Sequence, residues 1–287
     1  MLWLLLSLFS AFSWATADAF TKRHLAHLNP WEMAVVRVAY SLPFLLPLLL
    51  FIPFPSLGKG FWEATFSLIP VELVATILYM EAIRSSPLSL SLPFLSFTPL
   101  FLTLTGLLLL GEWPSGMGFL GIGLVVLGGY LLNVGRGMGV LGPVRRVISE
   151  RGSWMMLLVA ILYSYTSAMG KKAILYSHPL FFGPFYILLF TVILTVPLII
   201  TRKIDIKKLL RIPNKGLMVG GMIAAMLISH YWAITMVDAA YMIAVKRTAP
   251  IFGVLYGGLL LREEEMSRRL LATGMMVIGV LLIGLWG

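Results

Sequence analysis

The chain is a succession of apolar blocks, and each block is about as long as a helix that crosses a membrane. A helix rises about 1.5 Å per residue, so about 20 apolar residues cover the hydrocarbon core of a bilayer. The ten blocks are residues 2–20, 31–52, 62–83, 88–110, 116–134, 153–169, 180–200, 216–237, 240–261 and 270–286. Strands of a membrane β-barrel would be half as long and would alternate in polarity. The sequence therefore predicts an all-α membrane protein with ten transmembrane helices.

The composition excludes a water-soluble protein. Hydrophobic residues make up 59% of the 287 residues and only 12% carry charge, which is too little charged surface for a soluble domain of this size. The chain has no cysteine, so disulfides are excluded. Ala15-Thr16-Ala17 resembles a signal-peptidase site, but no positive residue precedes this apolar run. A membrane helix is therefore the favoured interpretation of the first block.

The positive charges predict the orientation in the membrane. The formal net charge is +10, and 19 of the 22 Lys and Arg residues lie between the blocks, 16 of them after odd-numbered blocks and 3 after even-numbered ones. By the positive-inside rule the odd-numbered connections face the cytoplasm. We therefore expect a multi-pass protein of the cell membrane with both termini extracytoplasmic. This orientation accounts for the excess charge, and no nucleic-acid partner is expected.

Residues of the first half recur in the second half at two nearly equal offsets. Trp14 lies eight residues before Lys22, as Tyr163 lies before Lys171, at an offset of 149 residues (163 minus 14). Later pairs are offset by 151 residues (250 minus 99). The other pairs are Asn29-Pro30 with His178-Pro179, Ala82-Ile83 with Ala233-Ile234, Pro99 with Pro250, Glu112 with Glu263, Gly123 with Gly274 and Gly128 with Gly279. A shared register across both halves predicts two copies of one unit.

Each copy holds five helices, and an odd number inverts the second copy relative to the first. The predicted organisation is a first repeat over residues 1–134, a cytoplasmic linker over 135–152 and a second repeat over 153–287. Inverted repeats place a binding site near the membrane midplane, and rocking of one repeat against the other gives alternating access. This symmetry favours a transporter over a scaffold protein.

Several motifs stand out: the Trp14-to-Lys22 spacing, Arg37 in the second block, the Pro99…Gly111-Glu112 and Pro250…Glu263 pairs, and a glycine-spaced closing helix in each half. Over essentially the whole chain they resemble the EamA-type members of the drug/metabolite transporter superfamily. The resemblance implies a ten-helix exporter or exchanger with the fifth and tenth helices at the periphery. The Val245-Lys246-Arg247 run is also similar to the basic pair in the ninth helix of the sugar-phosphate translocator branch, where it binds phosphate. The superfamily's substrates range from amino acids and drugs to nucleotide sugars and sugar phosphates, so the resemblance names no single substrate.

Lys246 and Arg247 are the leading candidates for substrate binding. Ionisable side chains inside membrane helices are costly, and they are functional candidates by default. Their counterparts in the first half are Leu95 and Ser96, so the fold does not demand charge here. Neighbouring helical residues project about 100° apart, so we expect one of the two to face a central cavity and the other to meet a helix. The alternatives are a structural ion pair with Glu72 and snorkelling to the outer interface.

Two further groups of ionisable residues allow simpler interpretations. Glu72 lies in the middle of the third block, where a carboxylate tends to protonate, so it is a candidate for proton coupling. Permanent pairing with Lys246, Arg247 or Arg37 is the equal alternative. Near the block ends, spacing predicts ion pairs between Glu81 and Arg84 and between Asp18 and Lys22, and Arg37 is interpreted as architectural.

The remaining candidates are a histidine and four aromatic residues. His230 could relay protons or bind an anion, although a single buried histidine is more often a hydrogen-bonded core residue. Trp14, Tyr79, Tyr163 and Tyr231 could line a cavity and stack on a substrate, although Trp and Tyr also collect at membrane interfaces. Trp14 and Tyr163 are repeat-related and deep, so they are the stronger cavity candidates.

The sequence offers no support for an enzyme, a cofactor or a metal site. Gly116-Met-Gly118-Phe-Leu-Gly121 matches a dinucleotide-binding string, but it lies in an apolar block without a preceding strand. Close helix packing is the better interpretation, as it is for Gly253-x-x-x-Gly257. No Ser-His-Asp arrangement, metal-spaced cluster or phosphate-cradling loop occurs.

The favoured function is a secondary-active transporter, exporter or exchanger, of a small polar anionic metabolite. The first alternative is a proton-driven exporter of amphipathic or cationic compounds or amino acids, in which Lys246 and Arg247 are paired with carboxylates. The alternative of another class is a non-transporting membrane scaffold. The expected partners are a small-molecule substrate, the lipid bilayer and protons as a coupling ion, and no oligomeric state is predicted.

Overall fold

The computed structural model describes residues 1–132, 150–249, 251–252 and 266–287, with the backbone alone at residues 89, 90, 93 and 266–270. All regular structure in these residues is helical, as the sequence predicts. Several residues of the sequence argument lie outside the described part: Pro250, Gly253, Gly257, Glu263 and most of the expected linker over 135–152.

Helices follow one another along the whole described chain. We number them α1 (Leu2–Leu25), α2 (Pro30–Ala39), α3 (Leu42–Leu45), α4 (Gly60–Ser85), α5 (Leu88–Ser91), α6 (Thr98–Leu110), α7 (Gly116–Leu132), α8 (Arg151–Leu175), α9 (Pro179–Ile200), α10 (Ile206–Leu210), α11 (Pro213–Ala233), α12 (Ala239–Lys246) and α13 (Met266–Trp286). Two 3-10 stretches, Leu46–Leu50 and Leu92–Phe97, interrupt the series.

Six helical stretches of the described residues are long and apolar enough to cross a membrane. They are Leu2–Leu25, Pro30–Leu50, Gly60–Ser85, Arg151–Leu175, Pro179–Ile200 and Pro213–Ala233. Three shorter helices are also apolar: Phe94–Leu110, Gly116–Leu132 and Leu271–Trp286. The all-helical membrane character is confirmed, while the count of ten spans stays a prediction.

Local sequence sets where the second helical stretch begins and where it breaks. The Asn29 side chain accepts from the Glu32 N–H at 2.9 Å, and the Glu32 carboxylate accepts from the Asn29 N–H at 3.0 Å. This capping box satisfies backbone donors that the first turn of a helix leaves free. Beyond α2, Pro43 and Pro47 supply no N–H and crowd the carbonyl four residues earlier. The block predicted over 31–52 is therefore divided into α2, α3 and a 3-10 stretch.

The helices pair across the two halves of the chain. The most extensive contacts join α1 with α11, α4 with α8 and α7 with α13. Each pair takes one helix from each half, and exchange of the halves turns the α1–α11 pair into the α8–α4 pair. Most of the buried apolar residues of both halves form one continuous cluster, and Val125, Val245, Met276 and Val280 form a second, small one. The two halves therefore share an interior.

Glycines allow the closest helix approaches. A Cβ on Gly121 of α7 would lie 2.7 Å from the Gly279 carbonyl oxygen of α13, and a Cβ on Gly279 would lie 2.6 Å from the Gly121 carbonyl oxygen. Close helix packing therefore accounts for Gly121, as the sequence suggests. On α11, a Cβ on Gly220 would overlap the carbonyl group of Tyr40. At that point α11 rests on the backbone where α2 ends.

Candidate functional site

A cavity of about 150 Å³ lies among α1, α2, α4, α8, α9, α11 and α12. Both halves of the chain contribute to its wall. The structure brings all eight predicted site residues to this wall: Trp14, Glu72, Tyr79, Tyr163, His230, Tyr231, Lys246 and Arg247. Their roles as substrate ligands stay predictions.

The two cations lie at the end of a short helix and both line the cavity. Lys246 is the last residue of α12, and Arg247 is its C-cap, with φ −73° and ψ 3°. Each side chain is buried, with 6% of its residue surface exposed. The structure places both side chains at the cavity wall, whereas the sequence suggested that one of them would meet an adjacent helix instead. The helical angle of about 100° assumed for neighbours holds only within a continuous helix, and Arg247 lies in the turn that ends α12.

Neither cation has a carboxylate partner in the residues that the structure describes. Ion pairs within 4.0 Å join other residues there. Lys246 Nζ instead donates to Met226 Sδ at 3.2 Å and lies 3.4 Å from His230 Nδ1. Arg247 Nε is buried and has no hydrogen-bond partner among the described residues. A buried charge without a partner is unfavourable, so this part of the cavity is suited electrostatically to an anion.

Aromatic rings partly compensate these cations. Lys246 Nζ lies 4.4 Å from the centroid of the Trp14 ring. Arg247 Cζ lies 5.9 Å from the same ring and 5.6 Å from the Tyr163 ring. The negative face of an aromatic ring attracts a cation within about 6 Å. The rings of the repeat-related residues Trp14 and Tyr163 therefore lie next to the two cations.

The two carboxylates of α4 have different surroundings. Glu72 lines the cavity and hydrogen-bonds to Thr166 of α8. Glu81 lies three turns closer to the end of α4 and pairs with Arg84, with 3.8 Å between Oε2 and Nη1. The predicted Glu81–Arg84 pair is confirmed. Glu72 has no cation within 4.0 Å in the described residues, so the predicted permanent ion pair of Glu72 is not formed in this structure.

His230 and Tyr231 extend the polar wall along α11. The two rings are adjacent, with centroids 5.3 Å apart. Tyr231 also meets Phe182 of α9 edge to face at 5.5 Å. His230 thus lies between the Lys246 ammonium and an aromatic surface, a place from which its ring can contact a cavity ligand.

A buried ion pair contributes one of its members, Arg37, to the cavity wall. Arg37 Nη1 donates to Asp18 Oδ1 at 2.7 Å, and the Tyr79 hydroxyl donates to Asp18 Oδ2 at 2.5 Å. Trp14 Nε1 in turn donates to the Tyr79 hydroxyl at 2.7 Å, and Arg37 also reaches the Thr21 hydroxyl at 3.1 Å. The hydroxyl of Tyr79 and the ring N–H of Trp14 are therefore committed to this network, and their rings remain as the cavity surface.

The predicted local pair between Asp18 and Lys22 is wrong. Lys22 Nζ donates to the carbonyl oxygens of Ile83 at 2.6 Å, Arg84 at 3.2 Å and Ser86 at 3.1 Å. The last carbonyls of a helix lack intrahelical partners, and the end of α4 offers several of them to one ammonium group. Asp18 instead pairs with the guanidinium of Arg37, which reaches it from α2.

The comparison with known families decides the identity of the chain. The EamA-like transporter family matches residues 1–134 and again residues 150–285. The chain belongs to the EamA-like transporter family. It is thus a multi-pass membrane transporter of the drug/metabolite superfamily built from two EamA repeats, and the members of this family are transporters rather than enzymes.

One solved structure shares the EamA architecture seen here. It is titled "Crystal structure of protein", and its TM-score is 0.73 with 14% sequence identity over 99% of both chains. At that identity the likeness shows the fold alone. A search of curated proteins found no match.

Sequence reasoning missed other residues of the cavity wall in this EamA-like chain, among them the polar residues Arg37, Lys171 and Tyr186. The repeat register relates Tyr186 to Arg37 (186 minus 37 is 149) and Lys171 to Lys22. It gave no signal for the cavity, because Arg37 was interpreted as architectural and Lys22 does not line the wall. The Tyr186 hydroxyl is buried without a hydrogen-bond partner in the described residues.

Proposed function

We propose that this EamA-like protein is a secondary-active transporter of a small polar anion. The observation that carries the proposal is a pair of buried cavity cations, Lys246 and Arg247, without a carboxylate partner in the described residues. Ten spans in two inverted five-helix repeats would give alternating access to this site. Cross-half helix pairing, which is symmetric under exchange of the halves, supports that arrangement.

The chemistry of the pair favours a phosphate or carboxylate group on the substrate. A guanidinium offers a planar fork of donors that fits either anion, and an ammonium adds a mobile point charge. A cavity of about 150 Å³ has room for roughly five water molecules at about 30 Å³ each, so the substrate is a small metabolite. The phosphate group of a sugar phosphate, as in the translocator branch that the Lys246-Arg247 run resembles, suits this basic pair.

The test is flux in proteoliposomes across a panel of labelled phosphate esters, carboxylates and organic cations. We expect the parent protein to accumulate or exchange an anion. Lys246→Gln and Arg247→Gln should each reduce that flux by about 10- to 150-fold, because hydrogen bonds to charged groups contribute about 1.5–3 kcal/mol. Lys59→Gln removes one charge from the exposed connection before α4 and should leave the flux within about twofold, since such surface changes act weakly.

Two outcomes would contradict the proposal. One is undiminished anion flux in the Lys246→Gln/Arg247→Gln double variant. The other is proton-driven flux of an organic cation that persists in the double variant and is lost in Glu72→Gln. That second result would establish the alternative exporter, which is favoured by the cavity position of Glu72 without a cation within 4.0 Å among the described residues.

We also propose that both termini are extracytoplasmic and that the α10 connection is cytoplasmic. The support is the 16-to-3 division of positive charges between connections. A cysteine at Asn214→Cys, in a chain that has no other, should resist an impermeant thiol reagent added to intact cells and react after permeabilisation. If intact cells are labelled as fast as permeabilised cells, the α10 connection faces the outside and the proposed orientation is wrong.

A further inference from the structure

Groups from three parts of the chain meet where α12 begins. The Glu112 carboxylate, on the connection between α6 and α7, accepts a hydrogen bond from the Ala239 N–H at 2.7 Å. Its other oxygen pairs with the Lys171 ammonium of α8. Lys171 also donates to the Val237 carbonyl oxygen at 2.7 Å. Glu112 therefore ties the first half of the chain to two helices of the second half.

The start of α12 fixes the position of its end. The helix has eight residues, so its length is about 12 Å at 1.5 Å per residue, and the basic pair occupies its last residue and its C-cap. Asp238, at the N-cap, makes no side-chain capping hydrogen bond. Glu112 supplies that cap from the other half of the chain, which satisfies one of the N–H groups that a helix start leaves free.

The connection that carries Glu112 touches α12 at a second place. The Ser115 N–H donates to the Tyr241 hydroxyl oxygen at 2.6 Å. A Cβ on Gly118 would overlap the Tyr241 ring, so glycine leaves the room that the ring needs. Burial raises the pKa of the neighbouring Asp238 carboxyl, and the Glu112 carboxylate raises it further. The first turn of α12 is thus held by both charge and shape.

The same ion pair forms part of the cavity wall. Lys171 lines the cavity and is 6% exposed, while its partner Glu112 has 17% of its side chain exposed. The pair therefore lies between the cavity and the membrane face on which residues 111–115 run. Opening the cavity to that face would separate Lys171 from Glu112.

We propose that Glu112 is a positioning residue for the basic pair and the closure of the cavity on this face. It holds α12 against α8, and through α12 it places Lys246 and Arg247 at the cavity. The positioning role rests on the proposed function, because it assumes that these two residues bind the substrate. The closure role does not rest on it.

The test measures how fast an impermeant thiol reagent reaches the cavity. Ser167, which lines the cavity one turn from Lys171, is replaced by cysteine, and membrane vesicles of both orientations are labelled. We expect Glu112→Gln and Lys171→Gln each to raise the labelling rate from the face of residues 111–115 by about tenfold, a usual size for the coupling between two conformations. The double variant should add little to either, since both remove one interaction. The exchanged pair Glu112→Lys/Lys171→Glu should return towards the parent rate.

Lys172→Gln is the matched control, because it removes a charge from the residue next to Lys171 that does not line the cavity. It should leave the rate unchanged. Parental labelling in a folded Glu112→Gln variant, or an equal increase in Lys172→Gln, would overturn the closure. If Glu112→Gln does not fold, Gly118→Ala displaces the Tyr241 ring and should raise labelling in the same way, and a parental rate there would equally overturn it.

The positioning role has its own readout. Glu112→Gln should weaken the half-saturation of the transported anion by about tenfold, and the exchanged pair should not recover it, because a lysine at position 112 cannot accept from the Ala239 N–H. If labelling becomes faster while the half-saturation value is unchanged, Glu112 closes the cavity but does not position the basic pair. Labelling needs no substrate, so failure of the anion proposal is distinguishable from failure of the closure.

Discussion

Replacing Asp18 by alanine should destabilise the protein by about 3–5 kcal/mol, the usual effect of removing one partner of a buried ion pair. Arg37, which is 6% exposed, would keep its charge in the interior with the Thr21 hydroxyl as its remaining hydrogen-bond partner in the described residues and the Trp14 and Tyr79 rings nearby. The Tyr79 hydroxyl would lose its acceptor as well. Thermal unfolding in detergent should show a Tm lower by roughly 6–20 °C, at the 2–4 °C per kcal/mol observed for larger domains.

Ser167→Ala is the control, because Ser167 occupies the position of Asp18 in the second repeat (167 minus 18 is 149). It removes a polar side chain without exposing a buried charge, so its Tm should stay within about 2 °C of the parent. Asp18→Ala/Arg37→Met, which removes both charges, should recover a large part of the loss. A Tm for Asp18→Ala that equals that of Ser167→Ala would mean that the ion pair does not stabilise the fold.

Replacing Gly220 by alanine should be the most damaging exchange of a single hydrogen for a methyl group on α11. The new Cβ would overlap the Tyr40 carbonyl group and would lie 2.7 Å from the Ser41 backbone nitrogen. Backbone atoms cannot turn away as a side chain can, so α11 must move off α2. Overpacking usually costs about 1–3 kcal/mol, and we expect the upper end of this range or more.

The neighbouring glycine provides a matched comparison. A Cβ on Gly221 would meet only the edge of the Phe44 ring, at 3.4 Å, which is ordinary contact. Gly221→Ala should therefore be neutral or stabilise the protein by roughly 0.5–1 kcal/mol through helix propensity. The measurement is the folded fraction after heating, read by size-exclusion fluorescence. Equal folded fractions for the two variants would refute the close approach of α11 to Tyr40.

Hydrophobic periodicity and length were sufficient to predict the long helices, because burial in a bilayer leaves a signal at every residue. The repeat register was sufficient to nominate Trp14 and Tyr163 as neighbours in one cavity. Asp18 shows where such reasoning stops. In the sequence, Lys22 at helical spacing and Arg37 on a crossing helix look equally available as its partner, and the structure pairs it with Arg37. Arg247 shows the same limit, since only the end of α12 at Lys246 places both cations in the cavity.

The cross-half pairing of helices has a consequence for how this chain is made. When the first repeat has entered the membrane, α1, α4 and α7 have not yet met α11, α8 and α13, their principal neighbours. Contacts such as the Ser10 hydroxyl with the Met226 carbonyl oxygen, 216 residues apart, form only after most of the chain has been synthesised. Assembly therefore proceeds by insertion of loosely associated helices followed by a late, concerted closure, as expected for contacts of large sequence separation. A ribosome that stalls before the second repeat would leave α1, α4 and α7 in the membrane without their principal neighbours.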